Sequence, residues 1–116
     1  MRISVVIATK DEEENIAECV DSLLSGTRKP DELIVVDSGT DSTATIAESK
    51  GCPVIRALGS NRSEGRNVGW RASTGDVVCF AEADAVYDRQ WLEMIEEIFL
   101  EGAEAVIDRR RIYGPK

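Results

Sequence analysis

The sequence predicts an α/β domain with an open, mostly parallel sheet and helices on both of its faces. Short apolar, β-branched runs alternate along the chain with longer segments of helical periodicity. The strand-like runs are almost wholly apolar, which is typical of strands covered on both faces. Such alternation implies right-handed crossovers between parallel strands, and we expect the strand order 3-2-1-4.

The first strand and helix are predicted near the amino terminus. Residues 3–9 are β-branched and nearly all apolar, which indicates a buried central strand. Asp11 and Glu14 stand three residues apart, close to a capping box, and apolar residues then recur at helical spacing as far as residue 24. This pattern predicts a strand, a tight turn and an amphipathic helix.

The later elements follow the same alternation. Asp41 or Ser42 is expected to cap the second helix and Gly51 to close it. Trp70 and Trp91 are expected in the core because each lies among helical apolar repeats. We assign no regular structure to 108–116. The remaining predicted elements are strands over 32–36, 53–57, 77–81 and 103–107, and helices over 64–73 and from Trp91 to Gly102.

Size and charge limit the possible functions. The 116 residues form one predicted domain, 1–116, and are enough to bury about two-thirds of the extended-chain surface. A net charge of −8 disfavours nonspecific nucleic-acid binding, although one local segment carries Arg62, Arg66 and Arg71. No apolar run approaches the length that spans a bilayer. Because the first strand is predicted from residue 3, we expect no secretory signal.

The three cysteines do not form a recognisable motif. Cys19, Cys52 and Cys79 are odd in number and lack CxxC spacing, so neither a disulfide framework nor a zinc site is indicated. We expect them to be buried small residues of a protein from a reducing compartment.

The predicted topology brings polar residues to one crevice. The chain reverses its direction of winding between the first strand and the strand over 77–81, and ligands of open α/β sheets bind outside the carboxyl ends of the strands at such a point. The residues expected there are Ala8, Thr9, Lys10, Asp37, Ser38, Glu82 and Asp84.

Glu82 and Asp84 are the strongest candidates for chemistry in this set. They lie two residues apart on one side of an extended segment. At about 6 Å, two carboxylates repel by about 3 kcal/mol at an effective dielectric of about 20. The pair therefore fits either a bridging Mg²⁺ or Mn²⁺ or a solvated acidic turn. Arg62, Arg66 and Asn67 fit a diphosphate clamp or a solvated helix face, and Lys10 fits either a site residue or a surface charge.

Several common enzyme classes lack their motifs in this chain. The first turn lacks the glycine-rich fingerprint of dinucleotide-binding folds, although Asp37 resembles their ribose-binding acid. The phosphate-binding motif GxxxxGK[ST] of nucleoside triphosphatases is absent. The chain has no histidine and no Gly-x-Ser-x-Gly motif, which excludes a Ser/His/Asp hydrolase.

Four blocks in order along the chain resemble the inverting family-2 glycosyltransferases of the GT-A fold. The segment 3–13 (ISVVIATKDEE) is similar to the family's SVVIPTYNEE, and 33–43 (LIVVDSGTDST) to its VVDDGSTDGT. The segment 61–69 (NRSEGRNVG) resembles NxGxxxARNxG, and 74–84 (TGDVVCFAEAD) resembles TGDxxxFLDAD. The resemblance implies a Rossmann-like GT-A half that binds a nucleotide sugar.

The resemblance also implies roles for individual residues. Thr9, Glu12, Asp37 and Arg66 would hold the base, ribose and diphosphate of a UDP- or GDP-sugar, and Asp84 would ligate Mn²⁺ or Mg²⁺. With the neighbouring candidates, the predicted donor site comprises Ala8, Thr9, Glu12, Asp37, Arg62, Arg66, Glu82 and Asp84, with Asp84 and Glu82 as metal ligands.

The chain departs from the family pattern at several positions. Glu82 replaces an aspartate, Ser38 replaces the second acid, Ala8 replaces a proline and Lys10-Asp11 replaces Tyr-Asn. The family's acceptor half lies beyond the matched blocks, so we assign no catalytic base. We expect a donor-binding, metal-dependent transferase half that acts with inversion. The alternative hypothesis is a non-catalytic nucleotide-binding module with a decayed or incomplete site. A sugar-1-phosphate nucleotidyltransferase is the third hypothesis, because the GxGTRxxP-like opening of that class is absent.

The expected setting of the protein follows from the same considerations. We expect a cytoplasmic protein, with the inner face of a membrane as a second location, and a homodimer is left open.

Overall fold

The structure, a computed structural model, describes residues 1–102, 104, 106–107 and 112–115, and for 106–107 and 112–115 it describes the backbone. Strands and helices alternate through the first hundred residues. The elements are β1 (Ile3–Thr9), α1 (Ile16–Leu24), β2 (Glu32–Asp37), α2 (Thr43–Ser49), β3 (Val54–Arg56), α3 (Arg62–Ala72), β4 (Val77–Ala81), α4 (Trp91–Leu100), β5 (Val106–Ile107) and β6 (Ile112–Pro115).

The described strands form one six-stranded sheet in the order β3-β2-β1-β4-β6-β5. Strands β3, β2, β1 and β4 are parallel, which confirms the predicted order 3-2-1-4. Strand β6 pairs antiparallel with β4, where Val77 lies opposite Pro115. The prediction of no regular structure in the tail is therefore wrong for Ile112–Pro115. The predicted strand over 103–107 is confirmed at Val106–Ile107, while residues 103, 105, 108–111 and 116 lie outside the described residues.

Helices cover both faces of the sheet, as predicted. On one face, apolar side chains of α1, α2 and α4 pack on alternate β1 residues such as Val5 and Ile7. On the other face, Val68 of α3 packs on Val6 and its neighbours. Full burial of each such aliphatic side chain contributes about 1.5–3 kcal/mol relative to exposure. The alternation along β1 therefore stabilises both layers.

Two glycines allow α3 to lie close to the sheet. A Cβ added at Gly69 would stand 2.3 Å from Val6 Cγ1, and one added at Gly65 would stand 3.3 Å from Ala8 Cβ. Gly65 and Gly69 lie one helical turn apart and are both buried. The close approach sets the height of the first turn of α3 above the carboxyl end of β1.

Helix starts differ from the sequence predictions in two places. The predicted capping box at Asp11 and Glu14 is wrong, because α1 begins at Ile16 after Asn15, which makes no side-chain cap. Asp11 instead adopts a positive φ of 54°. Helix α3 begins two residues before the predicted 64.

The start of α3 has a clear cause. The Asn61 side chain accepts a hydrogen bond from Glu64 N, while the Glu64 side chain accepts from Asn61 N. At α2, Ser42 occupies the cap position and the Asp41 carboxylate accepts from Thr43 N. The prediction that Asp41 or Ser42 begins α2 is confirmed.

Other expectations about burial have mixed outcomes. All three cysteines are buried and none of them forms a disulfide, as predicted. Trp91 packs partly buried against the main core, whereas Trp70 is 38% exposed, so its assignment to the core is wrong. Helix α3 carries few large apolar residues, and its buried positions are Gly65 and Gly69. Among the described helices, none has both the length and the apolar character needed to cross a membrane.

Candidate functional site

A cavity of about 300 Å³ lies at the carboxyl ends of β1 and β4, where the direction of winding reverses. This is the position at which open α/β sheets bind their ligands. Residues from four segments of the chain line the cavity: Ala8, Thr9, Lys10, Glu12, Val36, Ser38, Ser60, Asn61, Arg62, Gly65, Arg66, Ala81, Glu82, Ala83 and Asp84.

The acidic wall of the cavity is the turn that follows β4. Tyr87 Oη accepts a hydrogen bond from Glu82 N at 2.8 Å, and Cys19 Sγ donates to Glu82 O at 3.3 Å. Ala83 is buried between the two acids, while the Asp84 side chain is exposed and that of Glu82 is half-buried. The backbone of the turn is thus held from two sides, which presents both carboxylates at the cavity.

The basic wall is the first turn and a half of α3. Arg62 and Arg66 lie four residues apart and therefore on one helix face. The Asn61–Glu64 capping box fixes the start of this helix, and the glycine contact fixes its distance from the sheet. Two guanidinium groups consequently face the cavity together with the two carboxylates of the β4 turn.

The loop after β1 completes the wall beside Glu12. The positive φ of Asp11 lets its carboxylate accept from Thr40 N at 3.1 Å. Glu12 N donates to Thr43 Oγ1 at 2.9 Å. A Cβ at Gly39 would lie 2.5 Å from Asp11 Oδ1, so only glycine permits this close approach. The two loops are therefore hydrogen-bonded into one unit.

Asp41 also belongs to this loop pair. Burial raises the pKa of Asp41, but hydrogen bonds from Thr43 and from the backbone of Glu13 outweigh it and hold the pKa below its usual value. The carboxylate is therefore ionised near neutral pH and acts as an acceptor. It contributes to the shape of the loop rather than to the cavity wall.

Asp37 is fully buried and does not line the cavity. Its Oδ1 accepts from Thr9 Oγ1 at 2.9 Å, and its Oδ2 accepts from Arg56 Nη1 at 2.6 Å. Arg56 also donates to Gly39 O. The carboxylate predicted to hold the nucleotide is thus engaged by the protein, and the hydroxyl of Thr9 is directed at it.

The structure brings most of the predicted site residues together. Seven of the eight line the one cavity, and Asp37 alone does not. Lys10 and Ser38, expected in the same crevice, also line it. Sequence reasoning did not single out Arg56 or Ser60. Arg56 becomes apparent only from the β2–β3 register, which places it opposite Asp37.

The oxygen atoms of Glu82 and Asp84 suit a hard divalent cation that also binds to a ligand. Within the described part of the chain, no cluster of three or more carboxylate, thiol or imidazole groups forms a metal cage. Mg²⁺ is commonly bound by one or two carboxylates together with substrate phosphates. Glu82 and Asp84 supply that number of carboxylates, and Arg62 and Arg66 supply donors for phosphate oxygens. The residues present therefore fit a metal shared with a diphosphate.

Comparisons with known proteins point to one family. A sequence profile described as glycosyl transferase family 2 matches residues 4–116. Glucosyl-dolichyl phosphate glucuronosyltransferase of Haloferax volcanii is 32% identical over 114 positions, covering 91% of this chain and 36% of that protein. An uncharacterized glycosyltransferase of Nostoc sp. is 29% identical over 140 positions, covering 100% of this chain and 42% of that protein.

Solved structures are similar in fold. A crystal structure of residues 1–349 of S. aureus TarS has a TM-score of 0.82 and 25% identity, covering 90% of this chain and 34% of that one. Glucosyl-3-phosphoglycerate synthase from Mycobacterium tuberculosis, in complex with Mn²⁺, UDP and glucosyl-3-phosphoglycerate, has a TM-score of 0.76 and 27% identity, covering 89% of this chain and 41% of that one. The chain spans less than half the length of each of these four proteins.

Proposed function

This chain belongs to glycosyltransferase family 2, and from that premise we propose that it is the donor-binding half of an enzyme that transfers a sugar from a nucleoside diphosphate to an acceptor with inversion. We further propose that the donor is a UDP- or GDP-sugar and that residues 1–116 act as one domain. The cavity at the ends of β1 and β4 would hold the donor.

One observation carries the proposal. Three carboxylates, those of Glu12, Glu82 and Asp84, line the same cavity at the switch point of the sheet as the guanidinium groups of Arg62 and Arg66. Lys10 adds a third positive charge to the lining. A diphosphate with a divalent cation meets both requirements, because the cation offsets the repulsion between Glu82 and Asp84 while Arg62 and Arg66 bind phosphate oxygens. A ligand that is only anionic or only cationic would complement one wall of the cavity and be repelled by the other.

The proposed chemistry follows from the charge that the leaving group acquires. The sugar departs from a nucleoside diphosphate, so negative charge builds on the leaving oxygens. Arg62 and Arg66, which line the cavity, would stabilise that charge through charge-assisted hydrogen bonds. When bound by Glu82 and Asp84, Mn²⁺ or Mg²⁺ supplies further stabilisation of the same oxygens. We assign no residue of this chain as the base that activates the acceptor.

Relatives support the proposal. The mycobacterial glucosyl-3-phosphoglycerate synthase binds Mn²⁺ and UDP in its crystal structure. The haloarchaeal relative is named as a transferase that acts on a glucosyl-dolichyl phosphate. Both are consistent with a nucleotide-sugar donor in this chain. The cytoplasmic setting and the homodimer remain predictions from the sequence.

The Asp84→Ala variant tests the metal assignment. We expect it to lower Mn²⁺-dependent nucleoside-diphosphate affinity by about tenfold or more, because a charged ligand to the cation is lost. Glu48→Ala is the matched control, since Glu48 is exposed on α2 and outside the cavity. Equal affinities for wild type and Asp84→Ala, measured by calorimetry with and without Mn²⁺, would contradict the assignment.

A second candidate function is a non-catalytic module with a decayed or incomplete site. The specific observation in its favour is Asp37, which is fully buried, is paired with Arg56 and does not line the cavity. Ser38 and Glu82, where the family pattern has aspartates, favour the same alternative. This candidate predicts that nucleoside-diphosphate binding is absent or indifferent to Asp84.

A further inference from the structure

We propose that the Ser60 hydroxyl is a specificity-determining hydrogen-bond group that contacts the nucleoside part of the donor. The inference rests on the proposed function, which it deepens by assigning one residue to one part of the ligand. Ser60 lies in the loop between β3 and α3 and lines the cavity.

The hydroxyl of Ser60 is unusual among the described residues. Its Oγ is the one buried side-chain oxygen or nitrogen there that has no hydrogen-bond partner. Buried polar groups in proteins nearly always have a partner, and an exception calls for a physical explanation. A hydroxyl can donate one hydrogen bond and accept two, so this group has its full capacity left for a ligand.

The fold holds Ser60 without using its side chain. Ser60 N donates to Ala57 O at 3.1 Å, and the capping of α3 is done by the next residue, Asn61. A Cβ at Gly65 would lie 4.0 Å from Ser60 Oγ, which places the hydroxyl against the first turn of α3. Ser60 as a whole is only half-buried, so rotation about its Cα–Cβ bond can turn the hydroxyl into the cavity.

The position of Ser60 relative to Glu82 and Asp84 indicates that it contacts the nucleoside part of the donor. Strand β4, which leads to Glu82 and Asp84, lies on one side of β1, while β2 and β3 lie on the other. The loop that carries Ser60 comes from β3. A donor whose diphosphate lies between the acids and the arginines therefore extends its nucleoside towards Ser60.

The cavity supplies the space for the nucleoside, and the contact between α3 and β1 does not. A Cβ at Gly65 would lie only 3.3 Å from Ala8 Cβ, but both residues line the same cavity of about 300 Å³ as Ser60. That volume is at the lower end of the range for ligand pockets. The hydroxyl of Ser60 then offers a donor or an acceptor to the polar edge of the nucleoside.

The test uses the whole chain and the Ser60→Ala variant, with Ser63→Ala as control because Ser63 is exposed on α3 outside the cavity. Calorimetry in Mn²⁺ measures affinity for UDP, GDP and inorganic pyrophosphate. We expect Ser60→Ala to weaken whichever of UDP and GDP wild type binds better by about two- to tenfold. Pyrophosphate affinity should stay unchanged, and Ser63→Ala should match wild type throughout.

The unfolding temperature of Ser60→Ala distinguishes a ligand-binding role of the hydroxyl from a role in stabilising the fold. The free Ser60→Ala protein should unfold at the same temperature as wild type or a higher one, because an unpaired buried hydroxyl has been removed. Its nucleoside-diphosphate-induced shift should be smaller than that of wild type. A lower unfolding temperature of the free variant would overturn the inference, since the fold would then be using the hydroxyl.

The outcomes separate this inference from the proposed function. If wild type binds neither UDP nor GDP, the proposed function fails and the inference with it. If wild type binds one of them and Ser60→Ala binds equally well, only the inference fails. An equal loss for pyrophosphate would also overturn it, because the hydroxyl would then contact the diphosphate.

Discussion

The close contact between α3 and the sheet predicts a large effect for Gly69→Ala. The added Cβ would lie 2.3 Å from Val6 Cγ1 and 3.2 Å from Val36 Cγ2, well inside ordinary contact. Val6 is fully buried and β-branched, so it has little rotamer freedom with which to move away. The helix itself must therefore shift outward.

The size of the effect is the difference of two terms. In an open helix position, Gly→Ala stabilises by about 1 kcal/mol. Overpacking a close-packed interior costs about 1–3 kcal/mol, and the severity of this overlap favours the upper end. We expect a net loss of about 2 kcal/mol. For 116 residues, at an unfolding entropy of about 2.1 cal/mol/K per residue, this corresponds to a fall in the unfolding temperature of about 8 °C.

Calorimetric or circular-dichroism melting measures this change. The pair Asn67→Gly and Asn67→Ala is the control, because Asn67 is exposed on the same helix and reports the propensity term alone. Gly65→Ala should be milder, since its Cβ would lie 3.3 Å from Ala8 Cβ. An unfolding temperature of Gly69→Ala equal to or above that of wild type would refute the close packing of α3.

Two further predictions concern titratable groups. Burial raises the pKa of Glu32, but hydrogen bonds from Thr74 and Ser4 outweigh it and leave the pKa below its usual 4.5. The ionised Glu32 carboxylate therefore contributes its full stabilisation above about pH 4.5, and this contribution is lost as the pH falls through the pKa of the folded state. In urea unfolding, the free energy of unfolding of Glu32→Gln should fall less steeply with decreasing pH than that of wild type. An equally steep fall would contradict this. Burial raises the pKa of Cys79 to about 12, and Cys19 and Cys52 are also buried. At pH 8 iodoacetamide should alkylate these thiols only after unfolding, and rapid labelling of the native protein, read by mass spectrometry, would be inconsistent with their burial.

The parallel sheet was predictable because its strands are uniformly apolar. Runs such as 3–9 and 77–81 fit only a strand covered on both faces, and alternation with helices then limits the topology. Strand β6 was not predictable in this way. It is short, contains a Gly-Pro pair and forms by antiparallel pairing with β4, which no local pattern of its residues signals.

Local capping rules account for a helix start whose partners are close in sequence, and they fail where the partner is distant. The Asn61–Glu64 capping box has a recognisable three-residue spacing, and applying that rule at Asn61 would have placed the start of α3 correctly. Asp11 and Glu14 have the same spacing, but Asp11 instead bonds Thr40 from another loop. A hydrogen bond across 29 residues overrode the local signal.

The candidate site shows the same division. The acids after β4 and the arginines of α3 could be assigned to one crevice from topology alone, and the structure brings them to one cavity. Asp37 was expected there because it ends β2. Its carboxylate is instead paired with Arg56, which meets it only through the register of β2 and β3.

The most direct test of the central claim is a calorimetric titration of the protein with UDP, GDP, CDP and dTDP, each with and without Mn²⁺. We expect saturable binding that requires Mn²⁺ and prefers one base, because Glu82 and Asp84 line the same cavity as Arg62 and Arg66. Absence of binding to all four nucleotides, or binding that is equally tight without Mn²⁺, would contradict the claim that this cavity is a metal-dependent donor site.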